Sequence, residues 1–564
     1  MKILRLMLLL IIPIITQAQN DYYVSTTGSN ANDGSLANPW QTIQYGVNQL
    51  AAGDTLNILA GTYPEKIDID VSGTLANYIT IRNYQNDAVI LDASSFSDDS
   101  AIIWTDNAYL RIQGLHLTNN IYNNASGLAL QDVAHHIEII NNKISNIKFS
   151  DNANAPVNTN TNAVPLSIYA DNATTPIHDI LIKGNEVFNN QTGYSENIAA
   201  DGNFTNFIIE DNTVHDNTNI GIDIGGNYNV VSTPANDHGR NGIIRNNLVY
   251  NCNSPYSTAA GIYIDGGWDI VVENNICHHN GYGGEIGCEE NGTTERIVFR
   301  NNIFYNNIYA GMHLGAYDVN TTGNVLDSQI YNNTFYQNDT GLNYNGELIL
   351  TQSQNCSIAN NIFYISSQNV FITSERTQTN FLLDYNLVFA NAGETAIETD
   401  VNGTSYTGLA NYYTAIGQGQ HSVFANPLFT DADNLDFHLQ TNSAAIDAGD
   451  PNYSAATDEV DMDNQSRIVN NIIDCGADEY GSTAAVFVYH NDKLKPFPNP
   501  VKAILTVDAS YNNTDYTIYN TLGIVTIKGK ISSNHIIMTS LKKGIYFLVL
   551  KQQDKATIYK IIKE

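Results

Sequence analysis

Asn301-Asn302-Ile303-Phe304-Tyr305, Asn332-Asn333-Thr334-Phe335-Tyr336 and Asn360-Asn361-Ile362-Phe363-Tyr364 repeat one pattern: a turn made of Asn, then a short strand. Looser copies start at Asn142, Asn185, Asn212, Asn247, Asn275 and Asn386. From Asn185 to Asn386 the steps are 27, 35, 28, 27, 31, 28 and 25 residues. That period fits a coil of three short strands joined by turns, stacked as a parallel β-helix. Neighbouring coils then lie ~4.8 Å apart, each hydrogen-bonded to the next. An Asn at the same turn of every coil can adopt αL geometry and pass its side-chain amide to the next Asn. The residue two after each Asn is apolar (Val187, Val214, Val249, Cys277, Phe304, Phe335, Phe363, Val388) and should point inward. The residue after that is aromatic or His, from Phe188 to Phe389, and its facing is left open. A helical solenoid is excluded, because the runs alternate with period two and break at Gly and Asn.

The ends differ from the middle, as a solenoid requires. Residues 1–18 hold a basic start (Lys2, Arg5), an apolar run from Leu6 to Ile15 and a small-residue site at Thr16-Gln17-Ala18. That order reads as a secretory signal peptide, too short for a membrane span. Tyr22-Tyr23-Val24-Ser25 and a Gly/Asn/Asp-rich turn come next, then Pro39 to Ala52, expected as one amphipathic helix capping the core. This opening resembles the N-terminal stretch of many bacterial right-handed β-helix proteins, including the family-nine pectate lyases. The stretch from Asn426-Pro427-Leu428-Phe429 through Asp474-Cys475-Gly476-Ala477-Asp478 resembles the final coils of secreted β-helix proteins. Both resemblances imply fold and neither identifies chemistry. The expected class is therefore all-β: a right-handed parallel β-helix over 19–480, then a linker at 481–495 and a small β-sandwich at 496–564. The last part opens on Phe497-Pro498-Asn499-Pro500, carries Gly544-Ile545-Tyr546 and ends on Lys560-Ile561-Ile562-Lys563. It is similar to the C-terminal sorting domain of the Bacteroidota type IX secretion system. That implies a secreted or surface-attached protein with the type IX machinery as partner.

Charge narrows the partners. The formal net charge is −32, while residues 487–564 hold eleven Lys against five acids, so the body is more acidic than the total. Such a body repels nucleic acid. Charged residues are 15% of the chain, so amides and hydroxyls dominate the polar surface, as suits sugars and turns alike. The five cysteines (252, 277, 288, 356, 475) show no CxxC spacing and read mostly as small buried apolar residues. A soluble monomer is expected.

Glycan-active β-helices use the groove along one outer sheet, where side chains alternate in and out. Aligning the strands that begin after Gly221, Gly261, Gly284, Gly311 and Gly341 puts Asp223, Tyr263, Glu285, His313 and Asn343 in one outward column. Asp265, two residues beyond Tyr263, faces the same way. Asp223, Asp265 and Glu285 are the candidate catalytic carboxyls, since a glycoside hydrolase needs one protonated and one ionised. Tyr263, Trp268, His313 and Asn343 are candidate sugar contacts. Glu196, Asp201, Glu289 and Glu290 flank the column. No cofactor is required by this reading, but calcium is the ion such oxygen donors could hold. Turn capping is the plainer role for Asp201, Asp211 and Asp216.

Between Gly184 and Arg300 the basic residues are Arg240, Arg245, Arg296 and Arg300, none in the column. The Lys and clustered-Asp calcium motif of the family-nine pectate lyases is not recognisable. The expected function is thus a polysaccharide-active enzyme, a glycoside hydrolase before a calcium-assisted uronate lyase. A non-catalytic surface glycan binder is the third reading. His215, His313 and Tyr263 keep the lyase base open.

Overall fold

The computed structural model describes residues 19–317, 322–374 and 376–481, and, of the C-terminal part, 501–507, 511, 514–520, 525–531, 534–552 and 555–563. The expected signal peptide and most of the expected linker lie outside the described residues. Two units separate near residue 482, and Asp463–Gln465 group with the second.

The first unit is a parallel β-helix with three long sheets of 17, 13 and 13 strands among the described residues. In its later coils the first-sheet strand is broken in two, as at Arg296 (φ 55°) between Thr293–Glu295 and Val298–Arg300. The core is a continuous file of buried aliphatic and aromatic side chains, including Val214, Val249, Phe304, Phe335 and Phe363. The phenyl rings of Phe335 and Phe363 stack at 4.7 Å.

The Asn-Asn pairs divide the turn between them. The first residue takes the left-handed conformation (Asn246 φ 56°, Asn301 φ 57°, Asn332 φ 58°), which Asn tolerates well. The second is buried and builds the ladder: Asn302 donates from its backbone N–H and from Nδ2 to Asn333 Oδ1, both at 2.9 Å. Asn302 Nδ2 also donates to Val272 O at 2.9 Å. The expectation gave both tasks to one Asn. The structure separates them: the left-handed residue and the buried ladder residue are neighbours in sequence. Asn302→Ala orphans several buried groups, and a loss of about 1–3 kcal/mol is expected in denaturant unfolding.

A second ladder runs from Asn190 through Asn217, Asn280, Asn307 and Asn338, with Cys252 in one rung. Glu347 ends it, its carboxylate accepting from Asn338 Nδ2 at 2.7 Å. All five cysteines are free and buried.

The aromatic column that follows the inward residues faces outward on the third sheet. Phe188, His215, Tyr250, His278 and Tyr305 stack ring on ring at 4.6–5.4 Å.

Two expectations about the ends are corrected. The helix is confined to Ile43–Val47, and its buried Ile43, Gly46 and Val47 pack into the core that also holds Val24 and Leu56. Trp40 and Leu50 lie beyond the helix ends and are buried in the same core. The stretch after Pro427 does not add coils. It folds back over the third sheet, where Phe429, Phe437 and Cys475 cover Tyr305 and Tyr336. Arg300 fixes this return, paired with Glu273 at 2.7 Å and Glu459 at 3.2 Å.

The second unit contains a two-stranded and a four-stranded antiparallel sheet. Leu505, Ile518, Ile536 and Leu548 share one core cluster there.

Candidate active site

Backbone register on the second sheet defines two outward columns. Asp223 pairs with Tyr263, Tyr263 with Glu285, and Glu285 with His313, so four coils carry the first column as expected. The second column lies two residues on: Asp265 faces Gly225 on one side and Gly287 on the other. Those glycines make room. A Cβ on Gly225 would fall 2.0 Å from Asp201 Oδ1, and one on Gly287 would fall 2.5 Å from the Tyr263 hydroxyl.

The column departs from expectation at its end. His313 pairs with Ile349, not Asn343. Residues 341–346 form a turn in which Leu342 and Tyr344 have φ near 60°, held by Asp339 accepting from the N–H of Asn343 and Asn345 at 2.9 and 2.8 Å. Asn343 still borders the cleft described below, but from its rim. Trp268, the other candidate sugar contact, stands outside the column. It starts the neighbouring sheet's strand, His238 covers one ring face at 3.7 Å, and its Nε1–H donates to Thr293 O at 3.0 Å.

A cleft of about 670 Å³ opens over the column, with Tyr263, Glu285, Glu289 and His313 in its wall and Tyr282 and Tyr309 beside them. His313 donates from Nδ1 to Glu285 Oε1 at 2.6 Å, and its Nε2 accepts from the Thr351 hydroxyl at 3.0 Å. This line fixes the orientation of the Glu285 carboxylate. The Tyr282 ring leans on His313 at 5.6 Å.

Beside the cleft lies a nest of acids: Glu196, Asp201, Asp223, Asp265 and Glu289. Burial raises the pKa of Glu196, Asp223 and Asp265 well above the usual carboxylate range, and charge repulsion within the group raises it further. Asp201 is pushed up to about 6 by burial and by Asp237. Glu289 is raised by burial, then by Glu285. Asp265 is engaged at both oxygens: Tyr228 donates its hydroxyl to Oδ2, and the Glu289 N–H donates to Oδ1 at 2.8 Å. Asp223, 6% exposed, keeps an Oδ1 with no hydrogen-bond partner. Glu289 and Glu290 both reach solvent at the edge of the nest.

The nest offers the hard oxygen donors calcium takes, and the orphaned Asp223 oxygen is the kind of atom a cation satisfies. Its carboxylates do not close around one point, however. Among the described residues, the groups whose ligand atoms gather within 4.8 Å lie elsewhere.

Tyr228, Tyr282, Tyr309 and Thr351 belong to the site and were not foreseen. Tyr228 comes from the loop after Gly225-Gly226. Only the cluster of glycines hinted at a close approach there.

Fold and site together define a parallel β-helix protein with an acidic cleft on its second sheet. The chain belongs to the Pel9A-like family, whose right-handed β-helix region model matches residues 22–361. A secretion system C-terminal sorting domain matches residues 495–564, which marks the protein for type IX secretion and for surface attachment or release. An uncharacterized protein, YwoF, of Bacillus subtilis (strain 168) is 32% identical over 448 residues, 76% of this chain and 93% of its own length. Pectate lyase PEL9 of Emericella nidulans is 34% identical over 100 residues, 16% of this chain and 24% of its own. Among solved structures, pectate lyase Pel9A aligns at 14% identity with a TM-score of 0.43, covering 82% of this chain and 97% of its own. No helix among the described residues is long and apolar enough to cross a membrane.

Proposed function

We propose that this protein cleaves an extracellular polysaccharide as a glycoside hydrolase, with Glu285 and Glu289 as the working carboxyls. The observation that carries the reading is the hydrogen-bonded line Thr351–His313–Glu285, aimed into a cleft that also holds Glu289. Partial desolvation and the charge of Glu285 raise the Glu289 carboxyl, the direction a general acid requires. Glu285, held by His313, is the nucleophile or the base that activates water. Asp265 is a positioning residue, since both its oxygens are taken by Tyr228 and the Glu289 backbone. Asp223 adds to the negative charge that raises the Tyr228 hydroxyl. Tyr263, Tyr282 and Tyr309 offer rings to sugar faces.

A second reading, a uronate lyase, is favoured by the partnerless oxygen of Asp223 and by the likeness to a pectate lyase. In it, Glu196, Asp201, Asp223 and Asp265 would hold a cation that neutralises the uronate carboxylate. The nest has the donors but not the convergence.

The deciding experiment treats a panel of neutral and uronate-bearing polysaccharides with the purified protein, with calcium and with chelator. Reducing ends and the ultraviolet absorbance of unsaturated uronate are followed together. New reducing ends without unsaturated product, indifferent to chelator, are expected. Unsaturated product that disappears with chelator would overturn the hydrolase in favour of the lyase. No product across the panel would overturn both in favour of a glycan binder.

A further inference from the structure

The outer face of the first sheet carries a different cluster, remote in sequence from the acidic cleft. The strands His135–Ile140 and Ile177–Lys183 lie on adjacent coils, with His135 opposite His178. Their rings stack at 4.9 Å and 1°. His136, next in sequence, is at φ 53°, and Asp179 beside His178 is at φ 55°. These are the left-handed positions that Asn206 and Asn241 hold in the following coils. Asn, Asp and His are the residue types that best tolerate this conformation. The backbone thus turns two His of one coil and a His-Asp pair of the next toward one spot.

A ring nitrogen of each of His135, His136 and His178 lies within 4.8 Å of the other two. The Nδ1 atoms of His135 and His136 are 2.9 Å apart. Two nitrogens on one tetrahedral zinc, each bonded at ~2.0–2.1 Å, would stand about 3.3 Å apart. Small rotations about the side-chain bonds therefore reach a ligating arrangement. Asp179 Oδ2 accepts from His178 Nδ1 at 2.6 Å and lies 3.5 Å from His136 Nε2. A carboxylate behind ligating imidazoles is the usual means of orienting them. The side chains of His136 and His178 are 23% and 28% exposed, so an ion can reach them from solvent. Tyr109 closes the preceding coil, its ring 5.0 Å from His135 and 4.7 Å from His136. His278 and His279 provide a contrast: their Nδ1 atoms are 2.7 Å apart, yet no third ligand joins them in any gathered group among the described residues.

We propose that His135, His136 and His178 form a binding site for a divalent transition-metal ion, zinc by ligand type, with Asp179 as orienting residue. The site leaves a fourth position to water or an outside ligand. It joins the two coils that flank the 43-residue step from Asn142 to Asn185, the longest among the ladder steps. The ion would act as a clamp on that step.

The test uses the whole purified protein without a histidine tag. Cobalt is titrated in and followed by its visible d–d absorption, and zinc is measured by equilibrium dialysis. One saturable equivalent is expected, with the intense visible bands of a low-coordinate cobalt site. His136→Asn, which installs the residue native to this ladder position, should remove the bands and the zinc equivalent while keeping the circular dichroism of the fold. Asp179→Asn should weaken zinc binding on the order of 10–100-fold. His278→Ala should change neither. No saturable equivalent in the parent protein, or one that survives in His136→Asn, would overturn the proposal. Should His136→Asn misfold, His178→Gln carries the same expectation.

Discussion

Glu285→Gln lowers kcat/KM on the best substrate of the panel by roughly 10²–10⁴-fold, with little change in thermal stability. The magnitude is what a positioned acid–base group supplies. Gln keeps the shape of the side chain and can still accept from His313 Nδ1, now 2.6 Å from Glu285 Oε1, so the fold has no reason to respond. What is lost is the negative charge. Because that charge also raises Glu289, the variant should shift the acidic partner's limb of any remaining pH profile to lower pH. A merely structural role for Glu285 would not move that limb. His313→Gln provides the companion measurement. It removes the orienting donor and leaves the carboxylate, so a smaller loss in kcat is expected. If Glu285→Gln retains full activity with an unshifted profile, the carboxylate pair is not the reaction centre.

The sequence carried the stacking direction plainly because a parallel coil repeats its chemistry at each step. Val214, Val249, Phe304 and Phe335 occupy equivalent places, so the inward column could be read without a structure. Asp223, Tyr263, Glu285 and His313 followed from the same alignment. It failed at Asn343 because Gly341-Leu342-Asn343-Tyr344 imitates the Gly-apolar-polar-apolar phrase of the true strands. Its turn is set instead by the Asp339 side chain, an interaction that periodicity does not encode. Trp268, named as a sugar contact without a place in the column, lies on the neighbouring sheet because a corner of two residues separates it from Asp265. The acids Glu196, Asp201 and Glu289 were visible as a set, but their meeting depended on the gap above Gly225 and on loop geometry. Tyr228 reaches Asp265 across 37 residues, and no local pattern marks such a contact. The return of residues 427–481 over the third sheet was hidden for a further reason. The aromatic column it covers looked the same where it is covered, at Tyr305 and Tyr336, as where it is not.

Glu347→Gln should stabilise the β-helix at alkaline pH and do little at acid pH. The argument starts from the second ladder, whose other rungs are neutral amides and one thiol. Glu347 is completely buried at its end, accepting from the Asn338 backbone N–H at 3.1 Å and from Nδ2 at 2.7 Å. Burial pushes its carboxyl up to about 8; Asp339 adds to the rise, and hydrogen bonds from Asn338 and Ser366 oppose it without cancelling it. In the unfolded chain the same carboxyl titrates near 4.5. Between those values the folded state binds more protons than the unfolded state, so stability falls as pH rises. The contribution is intact below about pH 4.5 and is lost as pH climbs through about 8. The full difference is on the order of 4–5 kcal/mol, at 1.36 kcal/mol for each tenfold change in proton affinity. Gln has the same length, offers the same acceptor to Asn338 and carries no charge to bury, so it continues the ladder at every pH. Thermal unfolding of the two proteins from pH 5 to pH 9 provides the measurement. The midpoints should nearly coincide at the acid end, separate progressively from about pH 5 to about pH 8 and stay apart above it, with the variant higher. Parallel curves would mean that Glu347 keeps an ordinary proton affinity. A variant lower at every pH would mean that its carboxylate stabilises the ladder as an anion, and that the acceptor's charge outweighs its burial.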